Sequence, residues 1–174
     1  MKGKVDNYEK RMYGLVPYNI SDIQKSIQFG HSVVEAFNHF EGKNRELLYD
    51  WSRNWKTFII LNGGTTNWGT NGYKGSLNQH YETLLANKVN FSYFKEPDLG
   101  DQLTAITFIV DERVFNKEKY PDYIEYILPE DMSFENFLIN PNPVKRQTYE
   151  EWVEKVGGEK NVFLREFLEP FRLA

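Results

Sequence analysis

Met12 to Tyr18 (MYGLVPY), followed by Ile23 to Phe37 (IQKSIQFGHSVVEAF) and by Lys56 to Leu61 (KTFIIL), is the stretch on which the fold turns. The first run is short, apolar and closed by Pro17, and reads as a buried strand. Asn19-Ile20-Ser21-Asp22 then offers helix-capping chemistry. From Ile23 the period changes. Ile23, Ile27, Gly30, Val34 and Phe37 fall at spacings of four, three, four and three and define one helix face. That face is expected to pack inward, with Gly30 allowing close approach to a strand. A polar stripe of Gln24, Gln28, His31 and Glu35 runs beside it. Lys56 to Leu61 is a second strand, and Asn62 to Asn67 a loop rich in turn formers.

Working outward, residues 1–10 are charged and expected to be loose. The helix should end near Gly42, with a second helical piece through Leu47 and Leu48 to Trp51. The stretch up to Gly75 is irregular. Ser76 to Lys88 reads as a helix with Leu77, Tyr81, Leu84 and Leu85 facing inward. Asn90 to Phe94 and Thr104 to Val110 read as strands, joined by a hairpin or a longer crossing. This order predicts an α/β fold of three layers, a mixed four-stranded sheet with helices on it.

After Glu112 the character changes. Prolines at 121, 129, 141 and 143 punctuate short aromatic segments. Ser133 to Ile139 predicts one or two helical turns. Thr148 and Glu151 form a capping-box pattern that should start a helix to Val156. Gly157-Gly158 follows, then a last helix to about Glu169. Residues 1–112 are thus expected to form the α/β domain, and residues 113–174 a helical appendage packed on it.

The 174 residues are 40% apolar and 26% charged, as in a globular chain. The formal charge of −4 disfavours tight, non-specific grip on nucleic acid. The sequence has no cysteine, which excludes disulfides, thiolate catalysis and cysteine zinc sites. No secretory signal and no apolar run long enough to span a membrane is visible, so the expected location is cytoplasmic.

Three places can carry chemistry. His31 has Gln28 one turn before it and Glu35 one turn after, so Glu35 can orient the imidazole or raise its pKa. The plainer reading is a surface histidine in a polar stripe. Glu96-Pro97-Asp98-Leu99-Gly100-Asp101 puts three carboxylates on a loop at a strand end. They can act as a base, bind a cation or orient a histidine, or the loop can be turn chemistry alone. Gly63-Gly64-Thr65-Thr66 follows a strand and can cradle a phosphate. It lacks both common glycine-rich phosphate patterns, and a plain turn is the favoured reading. His39 and His80 show no metal-ligand spacing, and neither a metal nor a cofactor is expected.

In this order the residues resemble the type 2 peptidyl-tRNA hydrolase family. That family has a strand and then a helix carrying Lys-x-x-x-Gln-x-x-His before small and apolar residues. Gln28 and His31 match its Gln and His in Gln28-Phe29-Gly30-His31-Ser32-Val33-Val34-Glu35-Ala36. Asp98 and Gly100 match the Asp-Ala-Gly that ends its third strand. Glu96 to Ala105 (EPDLGDQLTA) is also similar to a loop of uncharacterised relatives of this fold, some of them from phages. The resemblance covers about residues 12–112.

The resemblance implies hydrolysis of the ester between a peptidyl group and the 3′ ribose of tRNA, or of a related ester or amide. His31, Asp98 and Gln28 would be catalytic. Gln24, Lys25, Glu35, Gly100, Asp101 and Thr104 would line the substrate. Partners would be tRNA or peptidyl-tRNA and no membrane, with a homodimer as an option. The sequence departs from the family in three respects. Gln24 stands where the family has Lys, and Lys25, one position on, points about 100° away. The loop between the last two strands is shorter, leaving Thr104 without a fixed counterpart. The Trp68 to Gly75 insertion and the appendage are extra. These departures keep open an alternative, a non-catalytic module on the same fold that binds a nucleotide, a tRNA end or a protein.

Overall fold

The computed structural model describes residues 7–66, 74–127, 133–139 and 145–174. In chain order the elements are β1 (Lys10–Val16), α1 (Asp22–His39), α2 (Gly42–Asn54), β2 (Thr57–Asn62), α3 (Ser76–Ala86), β3 (Phe91–Glu96), a 3-10 turn (Pro97–Leu99) and β4 (Gln102–Asp111). The C-terminal part adds α4 (Glu112–Phe115), β5 (Tyr126–Ile127), α5 (Phe134–Ile139), β6 (Lys145–Arg146), α6 (Tyr149–Lys155) and α7 (Glu159–Leu168). Two predicted features, the N-terminal tail through residue 6 and most of the Trp68 to Gly75 insertion, lie outside the described residues, as do the prolines at 129, 141 and 143.

The main sheet has the order β2-β1-β4-β3. β1 and β2 are parallel, while β4 runs antiparallel to both β1 and β3. The sheet is therefore mixed, and β3 and β4 form a hairpin. β1 explains the apolar run that opens the sequence. Met12 and Val16 face α1 and α2, while Tyr13 and Leu15 face the opposite core, so both faces are covered. Phe29, Ala36, Phe40, Leu48 and Trp51 complete the first core. Leu77, Leu84, Ile106, Phe108 and Leu164 belong to the second. Leu164 lies on α7, so the C-terminal helix packs directly on the sheet.

The tail also closes one edge of the sheet. Leu61 and Leu173 form an antiparallel bridge. The Asn62 amide donates to the Arg172 carbonyl at 2.9 Å, and the Ala174 amide to the Ile60 carbonyl at 3.0 Å. The predicted capping box of Thr148 with Glu151 is present, and the capping chemistry expected at residues 19–22 takes the form of a second box, Ser21 with Gln24.

The orientation of α1 differs from the expected one. Ile23, Ile27 and Val34 are 75%, 47% and 57% exposed. The buried residues of the helix are Gln28, Phe29, Ser32 and Ala36. The helix is turned so that Gln28, Ser32 and Ala36 face the sheet, with Phe29, Val33 and Phe37 packed on the core; of the expected face, Phe37 alone packs on that core. Small residues at 32 and 36 let it approach, and its inward polar groups find partners: Ser32 Oγ lies 3.0 Å from Thr107 Oγ1 on β4. The glycine that permits the approach is on the strand. A Cβ on Gly14 would sit 2.2 Å from the Phe29 ring, whereas nothing lies within 4 Å of one on Gly30. On α3, Leu77 and Leu84 are buried as expected, but Leu85 is 59% exposed.

Candidate active site

Gln28 is the centre of the site. It lies one turn before His31 on α1, is 4% exposed, and faces the end of the β3–β4 hairpin. Its Nε2 donates to the Glu96 carboxylate. Its Oε1 accepts the Thr104 hydroxyl at 2.8 Å. The orientation of the amide follows from its neighbours. A carboxylate only accepts, so the NH2 must face Glu96 and the carbonyl is left for Thr104.

Thr104 is delivered to this place by a bulge. Phe94 pairs with Ala105 and Lys95 with Leu103, so Thr104 is the extra residue on β4. Bulges re-aim a side chain. Here the side chain turns under α1, where it is fully buried and also lies 3.4 Å from the Phe94 carbonyl. Thr66 fixes the neighbouring backbone by donating to the Leu103 carbonyl.

Glu96 ends β3 and caps the 3-10 turn, accepting the Asp98 amide at 3.4 Å. Gly100 (φ 69°) and Asp101 (φ 58°) are left-handed, and their amides donate to Pro97 and Glu96 carbonyls at 3.0 Å each. The loop is therefore a closed turn, and the glycine at 100 serves its conformation. The Asp98 and Asp101 side chains are exposed. Neither makes a hydrogen bond or ion pair among the described residues.

His31 is exposed at the rim. Its ring packs on Phe94, 4.4 Å between centroids and tilted by 55°. Phe94 and Glu96 are two apart on β3 and share its helix-facing side, so the imidazole stands beside the Gln28–Glu96 contact. Among the described residues, His31 has no hydrogen-bond partner.

The other sequence candidates are placed differently. Glu35 does not orient His31; its carboxylate pairs with His39 Nδ1 at 2.9 Å. Gln24 is used in the capping box, its Oε1 accepting the Ser21 amide at 3.1 Å. Lys25 pairs with Asp22 at 2.9 Å. The Gly63–Thr66 loop offers no free amides for a phosphate. Those amides donate to Val16 O, Asn62 Oδ1, Ser76 Oγ and Asn19 Oδ1. His80 packs against Phe167 and Phe171, and burial pushes its pKa below the usual 6.5. No three metal-ligand side chains converge among the described residues. No described helix is long and apolar enough to cross a membrane.

Gln28, His31 and Thr104, expected at one site, are brought together; of the loop carboxylates it is Glu96 that Gln28 contacts, while the Asp98 side chain is exposed. The alternation Ser92, Phe94, Glu96 marks the side of β3 that faces α1. No protein-family model and no curated protein matches the chain.

Proposed function

We propose that this chain hydrolyses the ester between a peptidyl group and the 3′ ribose of tRNA, or a related ester or amide. The observation that carries the reading is the chain of hydrogen bonds from Thr104 through Gln28 to Glu96, next to His31. It holds a half-buried carboxylate in one orientation at a sheet end, one oxygen on Gln28 and the other 3.4 Å from the Asp98 amide.

In this reading Glu96 is the general base. It takes a proton from a water that attacks the ester carbonyl. The ester C–O bond breaks, and the proton passes to the departing 3′ oxygen. The products are a peptide carboxylic acid and a free 3′ hydroxyl. His31, at the rim, donates to the developing oxyanion or to the leaving oxygen. Gln28 and Thr104 position Glu96 without touching substrate. Asp98 flanks the loop and adds negative charge near the base.

The experiment is turnover of peptidyl-tRNA by the purified chain, with Glu96→Gln, His31→Ala and Asp98→Asn beside it. The reading expects Glu96→Gln to lose about 100-fold or more in kcat, the span typical of a general base. Asp98→Asn should lose much less. No turnover by the unsubstituted chain, or full turnover in Glu96→Gln, refutes it. The exposed His31, with no orienting partner, favours a second reading, a module that binds a tRNA end without cleaving it. Binding of tRNA that is weakened in His31→Ala, with no turnover, is the outcome that selects it.

A further inference from the structure

The two edges of the main sheet are treated differently. The β2 edge is closed by the chain's own tail through Leu61 and Leu173. The β3 edge has no neighbouring strand among the described residues. Open edges present unpaired amides and carbonyls and are a template for another strand. Alongside this edge runs a groove of about 460 Å³ between β3 and the C-terminal part of α1. Phe94 gives it an aromatic wall, Phe91 and Tyr93 border it along β3 while their rings pack on Tyr81 of the opposite face, and the Glu35–His39 pair stands at its α1 side.

The groove is continuous with the site. β3 ends at Glu96, which Gln28 holds, and Phe94 at the mouth of the groove carries the His31 ring. We infer that the peptidyl arm of the substrate adds to the β3 edge as an extended strand. This rests on the reading of the Glu96 site as an ester hydrolase. Main-chain pairing suits such a substrate, because its side chains vary while its backbone does not. His39 Nδ1 lies 2.9 Å from the Glu35 carboxylate, and Lys95 is the other charged lining residue, so few charged groups line the groove.

The direction follows from the chemistry. The scissile carbonyl is at the C-terminus of the peptidyl arm and must lie at Glu96. The arm therefore runs from the Phe91 end to the Glu96 end, parallel to β3. A parallel strand rises about 3.3 Å per residue, so the six residues of β3 accommodate about five residues of peptide.

The test uses N-acetylated peptides of one, three and five residues, joined by an amide to 3′-amino-3′-deoxyadenosine. Binding is measured by calorimetry and amide exchange by mass spectrometry on the full chain. The five-residue probe should bind at least about tenfold tighter than the one-residue probe, the net effect of one or two backbone hydrogen bonds. It should also slow exchange in residues 91–96, and backbone N-methylation should remove both effects. Equal affinity at all lengths, no binding at any length, or tightening without protection of β3 overturns the inference. So does β3 protection seen without probe together with a dimer mass, which means a second copy covers the edge. Peptidyl-tRNA turnover on the same preparation separates the two readings. Turnover without length-dependent binding refutes strand addition alone. Length-dependent binding without turnover refutes the hydrolase alone.

Discussion

The hydroxyl of Thr104 donates to the amide oxygen of Gln28 at 2.8 Å, across 76 residues of sequence. Both groups are buried, and each is where it is for a different reason. Gln28 is carried by the inward stripe of α1 and Thr104 by the bulge of β4. The Glu96 carboxylate fixes which end of the amide faces it, and the Thr104 hydroxyl satisfies the oxygen left over.

Thr104→Val keeps the shape of the side chain and removes the donor. The Gln28 oxygen is then buried without its main partner, which costs about 1–3 kcal/mol. Urea unfolding should show this loss, and Thr104→Ser should recover most of it. A valine variant as stable as the original chain would mean that the contact does not organise the site.

The facing of α1 is tested by two glycines. Gly14→Ala places a Cβ 2.2 Å from Phe29, and overpacking of this kind costs about 1–3 kcal/mol. Gly30→Ala meets nothing within 4 Å and should gain about 0.8 kcal/mol from helix propensity. The opposite pair of signs in chemical denaturation would restore the inward Ile23–Val34 face that the periodicity suggests.

Arg165 ties the C-terminal part together. Its buried guanidinium donates to the Arg113 carbonyl at 2.6 Å, to the Tyr120 carbonyl at 2.7 Å and to Asp122 at 2.7 Å. Arg165→Met keeps the aliphatic stem but strips both carbonyls and the carboxylate of their partner, at about 3 kcal/mol. Calorimetry should show Tm lower by roughly 10 °C for a chain of this size.

His80 gives a pH dependence with a definite sign. Burial against Phe167 and Phe171 lowers its pKa from 6.5. Below pH 6.5 the unfolded chain therefore binds more protons at this position than the folded one. The contribution to stability is complete above 6.5 and is lost as the pH falls from there toward the lowered folded pKa. His80→Phe keeps an aromatic ring in place and removes the proton. Between pH 6.5 and 5, Tm should fall less steeply in the variant than in the original chain.

Much of the fold is legible along the chain. The apolar run of β1, the Ser21 and Thr148 capping boxes, and the αL glycine of the β3–β4 turn depend on neighbours a few residues away. Local geometry decides such features, so the order of strands and helices could be read with ends shifted by one to three residues. The hairpin between β3 and β4 was one of two alternatives, because a nine-residue link allows either.

The sequence alone determined that Gln28 and His31 share one helix and that a carboxylate-rich turn precedes Thr104. Only the tertiary structure decided which stripe of α1 faces the sheet, that Thr104 is the bulged residue, and that Glu96 rather than Asp98 is held by Gln28. Hydrophobic periodicity favoured the Ile23–Val34 stripe, since it weighs each residue by its own transfer energy. The fold instead buries the stripe whose polar groups are satisfied by Thr104 and Thr107, far away in the chain. A buried polar side chain is tolerated when a distant partner completes it, and that partner exists only once β4 lies under the helix.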